Sequence, residues 1–172
     1  MKVDVMIGGR SLRYMQEFAR VTKQAGFSGL VITEAGRTAY LSCAAVTLAE
    51  PELDISTGIA VAFPRSPMVT AVAAWDLHRM SGGRFELGMG SQIRQNIEDR
   101  YAARWPTPPT SGLRDYVAAL RAIFTAFQTG GKLRHEGPHY RLTRLQPFFY
   151  PEKLDTPPPQ LMLGAVGPRM LE

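Results

Sequence analysis

Leu77-His78-Arg79-Met80-Ser81-Gly82-Gly83-Arg84-Phe85-Glu86-Leu87-Gly88-Met89-Gly90 is the stretch whose reading decides the fold. Its first residues end a helix. Met68, Val72, Trp75 and Met80 recur at roughly helical spacing behind Ser66-Pro67, a capping serine followed by a proline at the first helical position, where the missing amide proton would have no partner anyway. Gly82-Gly83 stops the helix, and Arg84 to Met89 then reads as an apolar strand. Helix gives way to strand within a few residues, which is how a crossover connection returns to a parallel sheet.

Upstream the same alternation repeats. Val3 to Ile7 is a β-branched strand broken by Gly8-Gly9, and Ser11 caps a helix carrying Leu12, Met15, Phe18, Ala19, Val21 and Ala25 up to Gly26. Gly29 to Thr33 is the second strand. Thr38 caps a second helix through Tyr40, Leu41, Ala44, Ala45 and Leu48 that Pro51 terminates, and the third strand runs from Ile55 to about Ala62. Downstream, a polar loop holding Trp105-Pro106 and Pro108-Pro109 leads to Ser111. There the clearest helical stripe begins, comprising Leu113, Tyr116, Val117, Leu120, Ile123, Phe124 and Phe127, and it ends at Gly130-Gly131. A hairpin is expected where Leu133-Arg134-His135 faces Tyr140-Arg141-Leu142 across Glu136-Gly137-Pro138. Beyond it Pro157-Pro158-Pro159 leads to a fifth strand at Gln160 to Leu163.

Four strand-helix alternations and a fifth strand make an α/β fold, a parallel sheet with crossover helices, the economical architecture. Five strands fit either an open doubly wound sheet or the first part of a (β/α)8 barrel, and the pattern leaves both open. Residues 1–172 read as one domain with a small hairpin insertion near 132–145.

Composition narrows the function. Hydrophobic content of 45% with 20% charged residues is that of an ordinary globular chain. The net charge of +5 is scattered over every segment rather than gathered into a stripe, so no nucleic-acid partner is expected, and a multiply anionic small molecule suits the balance better. Every apolar run is interrupted before the ~18–20 residues a bilayer crossing needs, and the opening Met1 to Asp4 has no signal core. A cytoplasmic protein without a membrane partner is expected. One cysteine, Cys43, excludes an internal disulfide and reads as core packing; His135 and His139 bracket a turn with no third ligand, so they read as surface groups and no metal site is expected.

In a parallel sheet the segments after the strands share one rim. That rim collects Gly8-Gly9-Arg10, Glu34 to Arg37, Phe63-Pro64-Arg65, Gly90-Ser91-Gln92 and Gly164-Ala165-Val166-Gly167-Pro168. Glycine lets backbone amides approach a ligand closely, and a glycine-rich loop entering a helix is suited to phosphate.

The runs Thr57-Gly58-Ile59-Ala60-Val61-Ala62-Phe63-Pro64-Arg65-Ser66-Pro67 and Leu77 to Gly90 resemble the third and fourth strand units of luciferase-like monooxygenases. The likeness continues through Arg114 to Ile123, His139-Tyr140 and Leu163 to Met170, and spans about the first half of a family member. It implies a partial TIM (β/α)8 barrel, first five strands only, with the first and fifth strands left as edges. The details are most similar to the branch that uses coenzyme F-420, a deazaflavin with a phosphate-linked polyglutamate tail. By the same resemblance, Gly58-Ile59, with Ala60 beside it, matches a non-prolyl cis peptide beneath the cofactor ring. Gly90, Ser91 and Gln92 match the loop bordering the ring, and Gly164, Ala165, Val166, Gly167 and Pro168 match the phosphate segment. Glu34 matches an acidic residue near the cofactor edge that would orient it or shuttle a proton. Arg37 and Asn96 stand where close relatives have histidines, which leaves the proton-handling group in question.

The resemblance implies an oxidoreductase that moves a hydride between a small organic substrate and F-420, with homo-oligomerisation in full-length form. An FMN-dependent monooxygenase is the alternative, and a non-catalytic truncated fragment or flavin-binding module is a third reading from another class.

Overall fold

The computed structural model describes residues 1–165. In chain order come β1 (Asp4–Gly8), α1 (Leu12–Gln24), β2 (Gly29–Thr33), α2 (Ala39–Ala49), β3 (Asp54–Thr57), β4 (Ala60–Val61), α3 (Pro67–Met80), β5 (Phe85–Gly90) and α4 (Pro109–Thr129). The hairpin strands β6 (His135–Glu136) and β7 (Arg141–Leu142), and then β8 (Gln160–Leu163), complete the series. The main sheet runs β1-β2-β3-β5, with β8 and the short β4 also paired to β5. Pairings β1–β2, β2–β3, β3–β5 and β5–β8 are all parallel. The strand order never reverses. A doubly wound sheet would reverse it, so the choice left open by the sequence falls to the partial (β/α)8 barrel.

The chain divides into two compact units. The first holds Met1–Ala60, Ala73–Met89 and Thr156–Gly164; the second holds Val61–Val72, Gly90–Asp155 and the chain from Ala165. Among the described residues no helix is long and apolar enough to cross a membrane.

In the first unit the sheet has two unlike faces. Leu30, Ile32, Ile55, Phe85, Leu87 and Met89 are buried, and β2 and β3 set theirs against α1 and α2. Burial of each such side chain contributes about 1.5–3 kcal/mol. On the alternate face Met6 is 65% exposed and Met162 41% exposed, as expected for a sheet with open edges. α1 starts where Ser11 Oγ accepts from the Tyr14 amide at 3.3 Å and buries Met15, Ala19 and Thr22, leaving Leu12 and Val21 outside. Cys43 lies wholly inside α2, and burial pushes its thiol up from the ordinary range.

The third strand is not continuous. It breaks after Thr57 at Gly58-Ile59, whose peptide bond is cis, and resumes as β4. The backbone register of β3 with β5 covers Ile55–Phe85 and Ser56–Glu86. Thr57 then takes over with its side chain: its hydroxyl donates to the Gly88 carbonyl at 2.7 Å and accepts from the Gly88 amide at 2.9 Å. A β-carbon on Gly88 would run into the Thr57 carbonyl oxygen, so this approach requires glycine.

α3 also departs from its expected stripe. Ala71, Ala74, Trp75, Leu77 and His78 are buried, while Val72 and Met80 are exposed. The inward face is thus made of two small alanines, Trp75, Leu77 and His78, and the larger Val72 and Met80 stay outside.

The second unit is built on α4. Every member of its expected stripe is buried, and Gly130 closes it at φ 72°. The loop before it contains a π-helical turn, Asn96–Arg100, that the polar composition concealed; the Tyr101 amide donates to Asn96 O at 3.1 Å. β6 and β7 form the expected antiparallel hairpin. It is tied to α4 by the buried Asp115 carboxylate, which accepts from His135 Nε2 at 2.8 Å and from the His139 and Tyr140 amides at 2.7 and 2.8 Å. The Tyr140 ring meets Tyr116 edge-on with centroids 5.4 Å apart, and the Tyr116 hydroxyl lies 2.6 Å from Thr70 Oγ1.

Thr57→Val keeps the shape of its side chain but strands the Gly88 amide and carbonyl, so urea unfolding is expected to show a loss of about 2–4 kcal/mol. Thr57→Ser keeps both bonds and loses a methyl, about 1 kcal/mol. Equal losses in the two variants would remove the bridge from the account. Burial, then the Asp115 charge, push the Tyr140 hydroxyl up to about 12. An unfolded tyrosine titrates near ~10, so the stability this group contributes is present below that pH and is lost as pH rises through the folded value. Tyr140→Phe should therefore show a flatter alkaline limb from about pH 10 to 12 in denaturant midpoints measured against pH.

Candidate functional site

Because the strands are parallel, Gly8 at the end of β1, Glu34 after β2, Gly58 after β3 and Gly164 after β8 lie along the carboxyl edge of one sheet. β2 and the break in β3 are stitched together there. The Gly58 amide donates to Ile32 O at 2.9 Å, and the Glu34 amide donates to Ile59 O at 3.3 Å. Glu34, Gly58 and Ile59 are half-buried, and Ala60 is buried behind them. A β-carbon on Gly58 would collide with Val31 Cγ1 and lie 3.8 Å from Met6 Cε. Bare backbone therefore lies flush with two apolar side chains, one of them largely exposed, making a flat surface on which a planar aromatic ligand can stack. The residues present fit such a ring.

The loops after β1 and β2 also meet. A β-carbon on Gly9 would lie 2.9 Å from Arg37 Cβ, and the exposed Arg37 guanidinium is a fixed positive charge on this edge. The Gly164 amide donates to Met89 O at 2.7 Å, extending the β8–β5 ladder. That proton is committed to the sheet, so an anion would draw on amides beyond it. Val166, Gly167 and Pro168 lie outside the described residues.

Gly90, Ser91 and Gln92 lead into the second unit. Gly90 O accepts from the Ala62 amide at 3.0 Å. Gln92 has φ 62°, and its Oε1 accepts from the Ile93 amide at 3.0 Å, so its side chain shapes the loop from within. Asn96 starts the π-helical turn, and its carbonyl closes it.

A cavity of about 420 Å3 in the first unit opens at the opposite, amino edge of the sheet. Lys2, Asp4, Asp54, Ser56, Glu86 and Gln160 line it, and none of the residues expected at the site does. Lys2 bonds Asp54 at 2.6 Å, and that bond, followed by the Asp54 charge, raises its ammonium pKa. Sequence reasoning passed over His78, whose ring nitrogens lie 2.8 Å from Phe85 O and 2.9 Å from Pro157 O, fastening the proline-rich connector beside β5. His135 and His139 are not free surface groups: His135 is bonded to Asp115, and His139 Nε2 lies 3.0 Å from Ser111 Oγ. Among the described residues no group of three metal-ligating side chains occurs.

The family model for luciferase-like monooxygenases matches residues 1–172. An uncharacterized protein of Mycobacterium tuberculosis is 38% identical over 172 residues, covering all of this chain and 50% of that protein. A second protein of that organism, provisionally named as a coenzyme F-420-dependent oxidoreductase, is 30% identical over 165 residues, covering 89% of this chain and 46% of that protein. The chain thus spans about half the length of the curated relatives it matches. Among solved structures, the oxygenating constituent of the 3,6-diketocamphane monooxygenase of Pseudomonas putida, in complex with FMN, superposes with a TM-score of 0.75 at 15% identity, over 95% of this chain and 51% of that one. A parallel sheet that adds strands in one direction, and a family model that matches from first residue to last, lead to one conclusion: the chain belongs to the luciferase-like monooxygenase family.

Proposed function

We propose that this chain carries one part of a coenzyme F-420 site and that the whole protein transfers a hydride between a small organic substrate and that deazaflavin. The observation that carries this reading is the bare backbone at Gly58, set against Val31 and Met6 at the carboxyl edge of the sheet. The relative named for F-420 supports the choice of cofactor because it is alike in sequence, whereas the FMN-bound neighbour shares only the fold.

When bound, the deazaflavin supplies two-electron hydride chemistry. The residues of this chain bind and orient. Gly58, Ile59 and Ala60 offer the floor for one face of the ring, and Met6 and Val31 exclude water from it. Glu34 sits at the same edge, where its carboxylate orients the ring or holds a proton. Arg37 pairs with an anionic group, since a guanidinium does not give up its proton near neutral pH. The Gly164 amide, committed to Met89, is not open to a phosphate.

Fluorescence titration with F-420 and, separately, with FMN tests the reading. Tighter binding of F-420 is expected, with Gly58→Val weakening it about tenfold or more at unchanged circular dichroism, because the new side chain meets Val31. Tighter binding of FMN would move the assignment to the monooxygenase chemistry of the family, and binding of neither would leave a non-catalytic module.

A further inference from the structure

The second unit carries two aromatic side chains that its own packing leaves outside. Pro147–Phe149 forms a single 3-10 turn in which Phe148 is 91% exposed and Phe149 58% exposed, their rings set edge to face with centroids 5.5 Å apart. The turn is held firmly. The Tyr150 hydroxyl donates to Gly131 O at 2.8 Å, and the Gln128 amide group makes a pair of hydrogen bonds with Leu154, donating to its carbonyl at 2.9 Å and accepting from its amide at 3.2 Å. Beside it lies a cleft of about 330 Å3 lined mainly by Phe127, Leu145, Pro147, Tyr150, Pro151 and Lys153.

The surrounding segment is strongly basic. Residues 132–153 contain five cations, Lys132, Arg134, Arg141, Arg144 and Lys153, against the carboxylates of Glu136 and Glu152, a net +3 of the chain's +5. Arg134 and Arg141 share Glu136, at 3.1 and 3.6 Å. Lys132, Arg144 and Lys153 are exposed. An occupant of this face must therefore be apolar where the phenylalanines enter and negative around them. Long, exposed cationic side chains in the segment around the turn, with Lys153 in the cleft beside Pro147, ask for diffuse negative charge rather than a fixed array of carboxylates, and an anionic lipid interface has that character.

We propose that this face seats the protein on an anionic lipid surface, with Phe148 and Phe149 entering the acyl boundary and Lys132, Arg144 and Lys153 meeting lipid phosphates. A membrane partner was not expected from the sequence because its apolar runs are too short to span a bilayer, and a surface association needs no such span.

Flotation through a density gradient tests this, because vesicle-bound protein rises while aggregates sink. Vesicles of phosphatidylglycerol and phosphatidylcholine are expected to lift the chain, and phosphatidylcholine vesicles to lift roughly tenfold less. Phe148→Ser combined with Phe149→Ser changes only exposed positions and is expected to cut binding about tenfold or more. Lys153→Glu should cut it about fivefold or more. Phe148→Trp should shift its emission to the blue with the anionic vesicles only. Absence of flotation with anionic vesicles hands the patch to a protein surface and overturns the proposal; so does equal flotation of the double serine variant or an unshifted tryptophan.

Discussion

One hydroxyl holds the sheet where its backbone ladder gives out. After Ser56 the two central strands stop exchanging backbone bonds in register, and Thr57 Oγ1 bridges to both polar groups of Gly88 instead. That substitution frees the chain to turn at Gly58-Ile59 while β5 continues straight to pair with β8. A buried amide and carbonyl left unpaired would each cost about 1–3 kcal/mol, so the break in β3 is compatible with a stable sheet only because a side chain of the right reach stands at that position. Gly88 completes the arrangement, since any β-carbon there would meet the Thr57 carbonyl.

The two faces of the sheet follow from the same geometry. Period-two alternation sends Leu30, Ile32, Ile55, Leu87 and Met89 to the buried face and Met6, Val31, Ser56, Glu86 and Met162 to the other. The second set changes character along the strands. Toward the amino edge it joins Lys2, Asp4 and Asp54 around a polar cavity, and toward the carboxyl edge it gives Met6 and Val31 to an apolar floor under Gly58. A flat hydrophobic ligand is therefore matched by one end of this face and excluded by the charges at the other. The polar cavity at the amino edge holds none of the residues expected at the site, because ring stacking needs a flat surface and not depth.

What could be read from residues alone divides along physical lines. β2 lies at Gly29–Thr33 as expected, and the α4 stripe is buried throughout, because a β-branched run and a long 3.6-residue period are local signals. The direction of the sheet was legible as alternation, which by itself left barrel and open sheet both standing; the family resemblance implied the barrel, and strand order, a non-local fact, bears it out. The inward face of α3 was only partly legible, because hydrophobic size points to Val72 and Met80, while the small Ala71 and Ala74 are the ones buried beside Trp75. The break after Thr57 carried no signal of its own in the residues, since Thr57 to Ala62 is as β-branched as any strand; only the family resemblance pointed to Gly58-Ile59. His135 and His139 looked like surface groups because their partners, Asp115 and Ser111, lie 20 and 28 residues away.

The same bookkeeping of donors narrows what the candidate site can do. Gly58 and Glu34 spend their amides on Ile32 and Ile59, and Gly164 spends its amide on Met89. Glycines along this edge therefore act by withholding a side chain more than by offering a proton. Arg10, in the loop after β1, and Arg37, in the loop after β2, put permanent positive charge on that edge, where an anion would meet it. A ligand with a planar ring and a multiply anionic tail satisfies both demands at once, stacking on backbone and meeting guanidinium groups. An uncharged ring would leave those cations unanswered, and a compact anion would leave the apolar floor bare.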